Sequence, residues 1–154
     1  MYSFILLLHS WSRWLVLIFG AWAIYRAVAG ERTIWAKPDN IAGASFVGSM
    51  HLQLLLGLIL YFSLSPFGLQ AFQRAGSAVM KNPESRFWAV EHLVMMLIAV
   101  ICAQVGRSIS KKKALLDAPG AHRTALTWFG VALVLVLLMI PWGIWNPGRP
   151  LFRF

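Results

Sequence analysis

Four apolar segments, each near twenty residues long, constrain this chain more than any other feature. They run over about 4–29, 42–64, 87–106 and 125–145. The hydrocarbon core of a bilayer is about 30 Å thick and takes roughly 20 apolar residues of helix to cross. None of the segments alternates apolar and polar residues as a barrel strand does, so they read as helices. Pro38 and Pro83 stand where first helical turns would begin, with Asn82 as an N-cap. Pro66 closes the second segment, and Pro141 and Pro147 bend or end the fourth. The expected fold is all-α: an integral membrane four-helix bundle, one transmembrane domain over 1–154, with both termini on the same side.

Composition agrees and narrows the function. Hydrophobic residues make up 59% of the chain and charged residues 12%, against roughly 25% charged in a soluble domain. This excludes a disordered protein, a nucleic-acid-binding domain and an ordinary cytoplasmic enzyme. The lone Cys102 excludes a disulfide framework, a zinc cluster and the paired-cysteine attachment of c-type haem. The first segment lacks the basic start and clean cleavage site of a signal peptide, and is read as a retained helix.

The net charge of +9 takes its meaning from where the charges fall. Loops one and three hold Arg26, Arg32, Lys37, Arg107, Lys111, Lys112, Lys113 and Arg123. The opposite face holds Arg74, Lys81, Arg86, Arg149 and Arg153. Eight against five makes the first face cytoplasmic and places both termini on the periplasmic side of a bacterial inner membrane. Trp11, Trp14, Trp35, Trp88, Trp142 and Trp145 lie near segment ends, as an aromatic belt does. Residues 67–75 suit a short amphipathic helix on the outer surface. The basic excess thus serves orientation and attraction to the lipid bilayer, with no nucleic acid involved.

The chemistry lies in the histidines. There are four, His9, His51, His92 and His122, one in or at the start of each segment. Ionisable groups inside a bilayer are costly and point to function. His9 and His92 each lie five residues past the outer end of their segments, roughly 8 Å deep at 1.5 Å per residue. Two imidazoles at one depth on two helices suit the two axial positions of a b-type haem inside a four-helix bundle. Gly20 and Ala27 on the first helix, and Ala99 and Ala103 on the third, leave room for a flat macrocycle or a neighbouring backbone. Arg13, one turn past His9, needs an anionic partner, for which Glu91 or a haem propionate would serve. Arg86 is a second propionate candidate. Ser12, Gln53 and Gln104 are candidates to hold the second nitrogen of a ligating imidazole. His51 and His122 approach from the cytoplasmic side and could form a second, weaker pair. His122, beside Arg123, also suits a headgroup contact, and any of the four could be a helix–helix hydrogen bond. Met50, Met95, Met96 and Met139 read as packing. No nucleophile triad, phosphate loop or paired carboxylate is present.

Several runs of sequence carry a resemblance. HSWSRWLVL from His9, HLQLLLGLILYF from His51, EHLVMMLIA from Glu91 and GRSISKK from Gly106, with the pair His122–Arg123 and the ending Ile140-Pro141-Trp142, resemble small four-span bacterial membrane proteins catalogued as cytochrome b-like. The resemblance covers nearly the whole chain. It implies a haem b electron carrier of the inner membrane, with His9, His51, His92 and His122 at the family's four histidine positions. More distantly, the arrangement is similar to two-haem cytochrome b subunits of dehydrogenases and to half of a haem A synthase.

Two functions are therefore expected to compete. One is a membrane-bound b-type cytochrome with one or two haems, passing electrons between the quinone pool and a partner protein such as a respiratory subunit. It would be an electron-transfer protein more than a stand-alone enzyme. The other is a cofactor-free accessory subunit of a larger membrane complex, its histidines and Arg13–Glu91 serving as internal hydrogen bonds. A quinone or lipid pocket near Trp11, Arg13 and Trp14 is a third reading.

Overall fold

A computed structural model describes residues 1–30, 33–144 and 150. Glu31, Arg32, Trp145, Pro147, Arg149 and Arg153, which carry part of the expected topology, lie outside the described residues. Helix α1 spans Tyr2–Ala29, and α2 spans Lys37–Ile59 before passing into a π-helical turn, Leu60–Leu64. The short helices α3 (Leu69–Ala75) and α4 (Pro83–Arg86) bridge to a second π-helical turn, Phe87–Glu91. Two long helices come next, α5 (His92–Lys113) and α6 (Ala118–Met139). Four helices are long and apolar enough to cross a membrane, and the described residues contain no strand.

The helices extend past the apolar stretches that announce them, and caps explain why. Asp39 accepts the Ala36 N–H at 2.7 Å, starting α2 ahead of residue 42. The same carboxylate, 4% exposed, pairs with Arg26 at 2.8 Å and ties the start of α2 to the last turn of α1. Asp117 accepts the Gly120 N–H at 3.0 Å, and with Pro119 in the first turn α6 starts at Ala118 instead of near 125. Its other end comes early too. Ile140 precedes Pro141 and is forced into extended backbone (ψ 133°), so α6 stops at Met139. Asn82 caps α4 through the Ser85 N–H at 2.9 Å, and α3 occupies most of the expected amphipathic stretch.

Small residues set the packing. Val16, Gly20, Ala23 and Ala27 on α1, Ala99, Ala103, Gly106 and Ser110 on α5, and Ala121, Ala125 and Ala132 on α6 are all buried. Their three- and four-residue spacing gives each helix a narrow seam on which a neighbouring backbone can lie. The result is a ring in which α1 and α5 each pack on both α2 and α6. Helices α1 and α5 therefore face each other diagonally, as do α2 and α6. Phe46 and Phe129, 0% and 2% exposed with ring centres 5.5 Å apart, fill the axis from that second diagonal. A methyl on Gly20 would lie 2.9 Å from the Phe46 ring, so the small residue there accommodates Phe46.

Candidate functional site

Beyond the phenylalanine pair, toward the end of the bundle where α1 begins, the axis opens into a cavity. Its atom-free space, open solvent at the mouth included, is about 1270 Å³. All four long helices line it, chiefly with apolar side chains. Both π-helical turns contribute, through Leu60, Tyr61 and Trp88. A π turn inserts one residue and so rotates the rest of the helix by about 100°, the angular step of one helical residue. The turn at Phe87–Glu91 ends at His92, and His92 faces the cavity.

His9 meets it from the opposite diagonal, with ring centres 6.5 Å apart and planes at 67°. Two imidazoles on opposite sides of one metal ion, each at the roughly 2 Å of a metal–imidazole bond, have ring centres about 6 to 6.5 Å apart. The pair thus has the span of bis-imidazole ligation, and the matched depth expected of His9 and His92 is realised.

Both imidazoles are held by hydrogen bonds within the bundle. Helix α6 ends at Met139, so its carbonyl lies among the last four of the helix, which lack an intrahelical partner. His92 Nδ1 lies 3.2 Å from that oxygen. A carbonyl only accepts, so Nδ1 carries the proton and Nε2 is the basic nitrogen. Metal-bound histidines are commonly oriented in this way. On the other side, the Ser12 hydroxyl donates to Gln53 Oε1, which turns the Gln53 amide toward His9. That amide donates to the His9 carbonyl at 3.0 Å and lies 3.3 Å from His9 Nε2. His9 Nδ1 is buried with no hydrogen-bond partner among the described residues. An amide N–H only donates, so Nε2 accepts and Nδ1 carries the unpaired proton; Nε2 becomes available to a metal only when Gln53 releases it.

Arg13 is 8% exposed and lines the same cavity, its guanidinium 5.4 Å from the Trp14 ring centre. Glu91 does not pair with it. Its carboxylate is held by Arg86 at 2.6 Å, both side chains being 41% exposed. The expected Arg13–Glu91 contact is corrected accordingly: Arg86, five residues away across the π turn, reaches Glu91 first. Of the three candidates for a ring-nitrogen contact, Gln53 alone reaches one; Ser12 bonds Gln53 and the His9 carbonyl, and Gln104 is turned outward toward Ser108.

The second histidine pair does not assemble. His51 stands exposed on the outer face of α2, and Gln53 takes the inward position. Counted from Lys37 and Ala118, His51 lies about 21 Å along its helix and His122 about 6 Å, an offset no small tilt removes. Phe46 and Phe129 occupy the core, and His122 is fully buried, which also corrects the headgroup contact. The His122 ring stacks on Trp35 at 4.9 Å, against Gly30, and neither ring nitrogen has a hydrogen-bond partner among the described residues. Replacing it with a ring that asks for no hydrogen bond should therefore help. His122→Phe is expected to raise stability by about 1–2 kcal/mol, measured by thermal unfolding in detergent. A large loss of stability would show that His122 has an essential polar partner.

Among the described residues, no three His, Cys, Asp or Glu side chains gather as a metal-binding group. A metal held by protein ligands alone has no ligand set there, whereas a haem iron asks only two from the protein. Met50, Met96 and Met139 on the walls are side chains that yield. Judged by imidazole span, the oriented His92 and a cation inside an apolar pocket, these residues fit a haem, provided Gln53 releases His9 Nε2. Neither protein-family models, nor curated proteins, nor solved structures give a match to this chain.

Proposed function

We propose that this chain is a membrane-bound b-type cytochrome with one haem, held between His9 and His92. The observation that carries this reading is the 6.5 Å separation of two imidazoles brought into one cavity from diagonally opposed helices. A bound haem would supply reversible one-electron transfer, and His9 and His92 are the residues that would hold it. The chain's own groups do the rest. His92 is steered by the Met139 carbonyl and His9 by Gln53 and Ser12. Arg13 offsets the negative charge of a propionate inside the apolar pocket. Phe46 and Phe129 fill the axis beyond, which argues for one haem and for electron transfer at one membrane surface.

The loop charges favour a bacterial inner-membrane location, with the haem end and both termini periplasmic. The resemblance to cytochrome b-like membrane proteins points to the same chemistry. The quinone pool and a respiratory partner protein are the natural electron donor and acceptor for such a carrier, which is not by itself an enzyme. One observation favours the cofactor-free accessory reading: both histidines already have hydrogen-bonding contacts within the bundle. Haem content decides between them. Protein purified after expression with ample haem is expected to hold one b haem per chain. A ratio near zero supports the accessory subunit, and a ratio of two demands a second site.

A further inference from the structure

The outward face of α2 carries a feature that haem binding leaves unexplained. Ile41, Ala44, Gly48, His51, Leu55 and Ile59 succeed one another at three- and four-residue steps and form one stripe on the outside of the bundle. His51 lies in the middle of it. At 1.5 Å per residue it stands about 20 Å from either end of the helical segment 37–64, at the level of the bilayer centre if this helix spans it. An imidazole facing hydrocarbon there is too deep to reach either surface, and such groups persist where they meet a polar partner. Among the described residues none bonds to His51, so its partner must come from outside the chain's own bundle.

We propose that this face is the contact between two copies of the chain, with the two His51 imidazoles hydrogen-bonded to each other. A neutral imidazole is one donor and one acceptor, so it is complementary to its own copy across a two-fold axis. Gly48, one turn away, has open space where a side chain would begin, and Ala44 is the next small residue along the stripe. Two α2 backbones can approach closely there, which lets one short hydrogen bond form. Leu55, 57% exposed, and Ile41, 44% exposed, would pack on either side of it. This contact is separate from the cavity and stands whether or not a haem is bound.

Cysteine cross-linking of the full chain in native membranes tests it, in a Cys102→Ala background. Leu55→Cys and Gly48→Cys report on the proposed face. Ile101→Cys, 59% exposed on α5, is the control. The expected result is a product of twice the chain mass from either α2 position and not from the control. Adding His51→Leu should lower the yield roughly three- to tenfold, the scale of one interhelical hydrogen bond in a bilayer. His51→Asn, which keeps a donor and an acceptor, should retain it. Three results would overturn the proposal: yields no higher than the control, a product whose added mass belongs to a different protein, or a yield indifferent to His51→Leu.

Discussion

His92→Ala is expected to leave a folded, membrane-inserted protein that retains less than a tenth of the haem of the parent chain. For folding, the substitution removes one side chain that is only partly buried and its bond to the Met139 carbonyl, a loss of about 0.5–1.5 kcal/mol. Four long apolar helices packed through alanine and glycine seams do not depend on that contact. For haem, the substitution would remove one of the two proposed iron ligands from an apolar pocket that supplies no third histidine. His51 faces outward and His122 is buried about Trp35, so neither can stand in. Haem content measured against protein, alongside helix content by circular dichroism, checks both halves. Full haem retention with native helix content would remove His92 from the site.

The second large effect comes from Gly57, which carries no polar group at all. A methyl built on Gly57 would lie 3.2 Å from Cε1 of His9, closer than side chains normally tolerate, so the imidazole must move. Glycine is also a poor resident of the interior of α2, costing about 0.5–1 kcal/mol relative to alanine. Stability and cofactor binding are therefore expected to move in opposite directions. Gly57→Ala should hold or raise the unfolding temperature while weakening haem retention, and Gly57→Leu should abolish retention by filling the space the His9 ring occupies. A cofactor-free accessory subunit would show only the stability change. Haem retention unchanged in Gly57→Leu would mean that His9 is not a ligand.

Much of this arrangement is legible in the residues, and the exceptions have physical causes. Segment length and apolar content announce four helices because a bilayer sets the length. Equal depth of His9 and His92 comes from helical rise alone, and the π turn before His92 alters its facing more than its depth. Facing is what the residues conceal on α2. That helix is apolar nearly all round, so no polar stripe says which side is inward. Gln53 and Gly57, one turn apart on the side that meets His9, were the signal to read. Depth fails for His122 because a helix starts where its caps are, at Asp117 and Pro119, and not where its apolar residues begin. The Arg13–Glu91 pairing fails because a nearer cation, Arg86, lies on the same short stretch of chain. The Met139 carbonyl could not be found by side-chain type, since it is backbone, although Pro141 two residues on marks the helix end that exposes it.

The most direct measurement is the optical and electron paramagnetic resonance spectrum of the purified full-length protein after haem-supplemented expression. Ligation by His9 and His92 predicts a Soret band, a sharp α-band on reduction, and the low-spin ferric signal of two axial imidazoles, all lost together in His92→Ala. A colourless protein, or a high-spin haem unaffected by changes at His9 and His92, would contradict it.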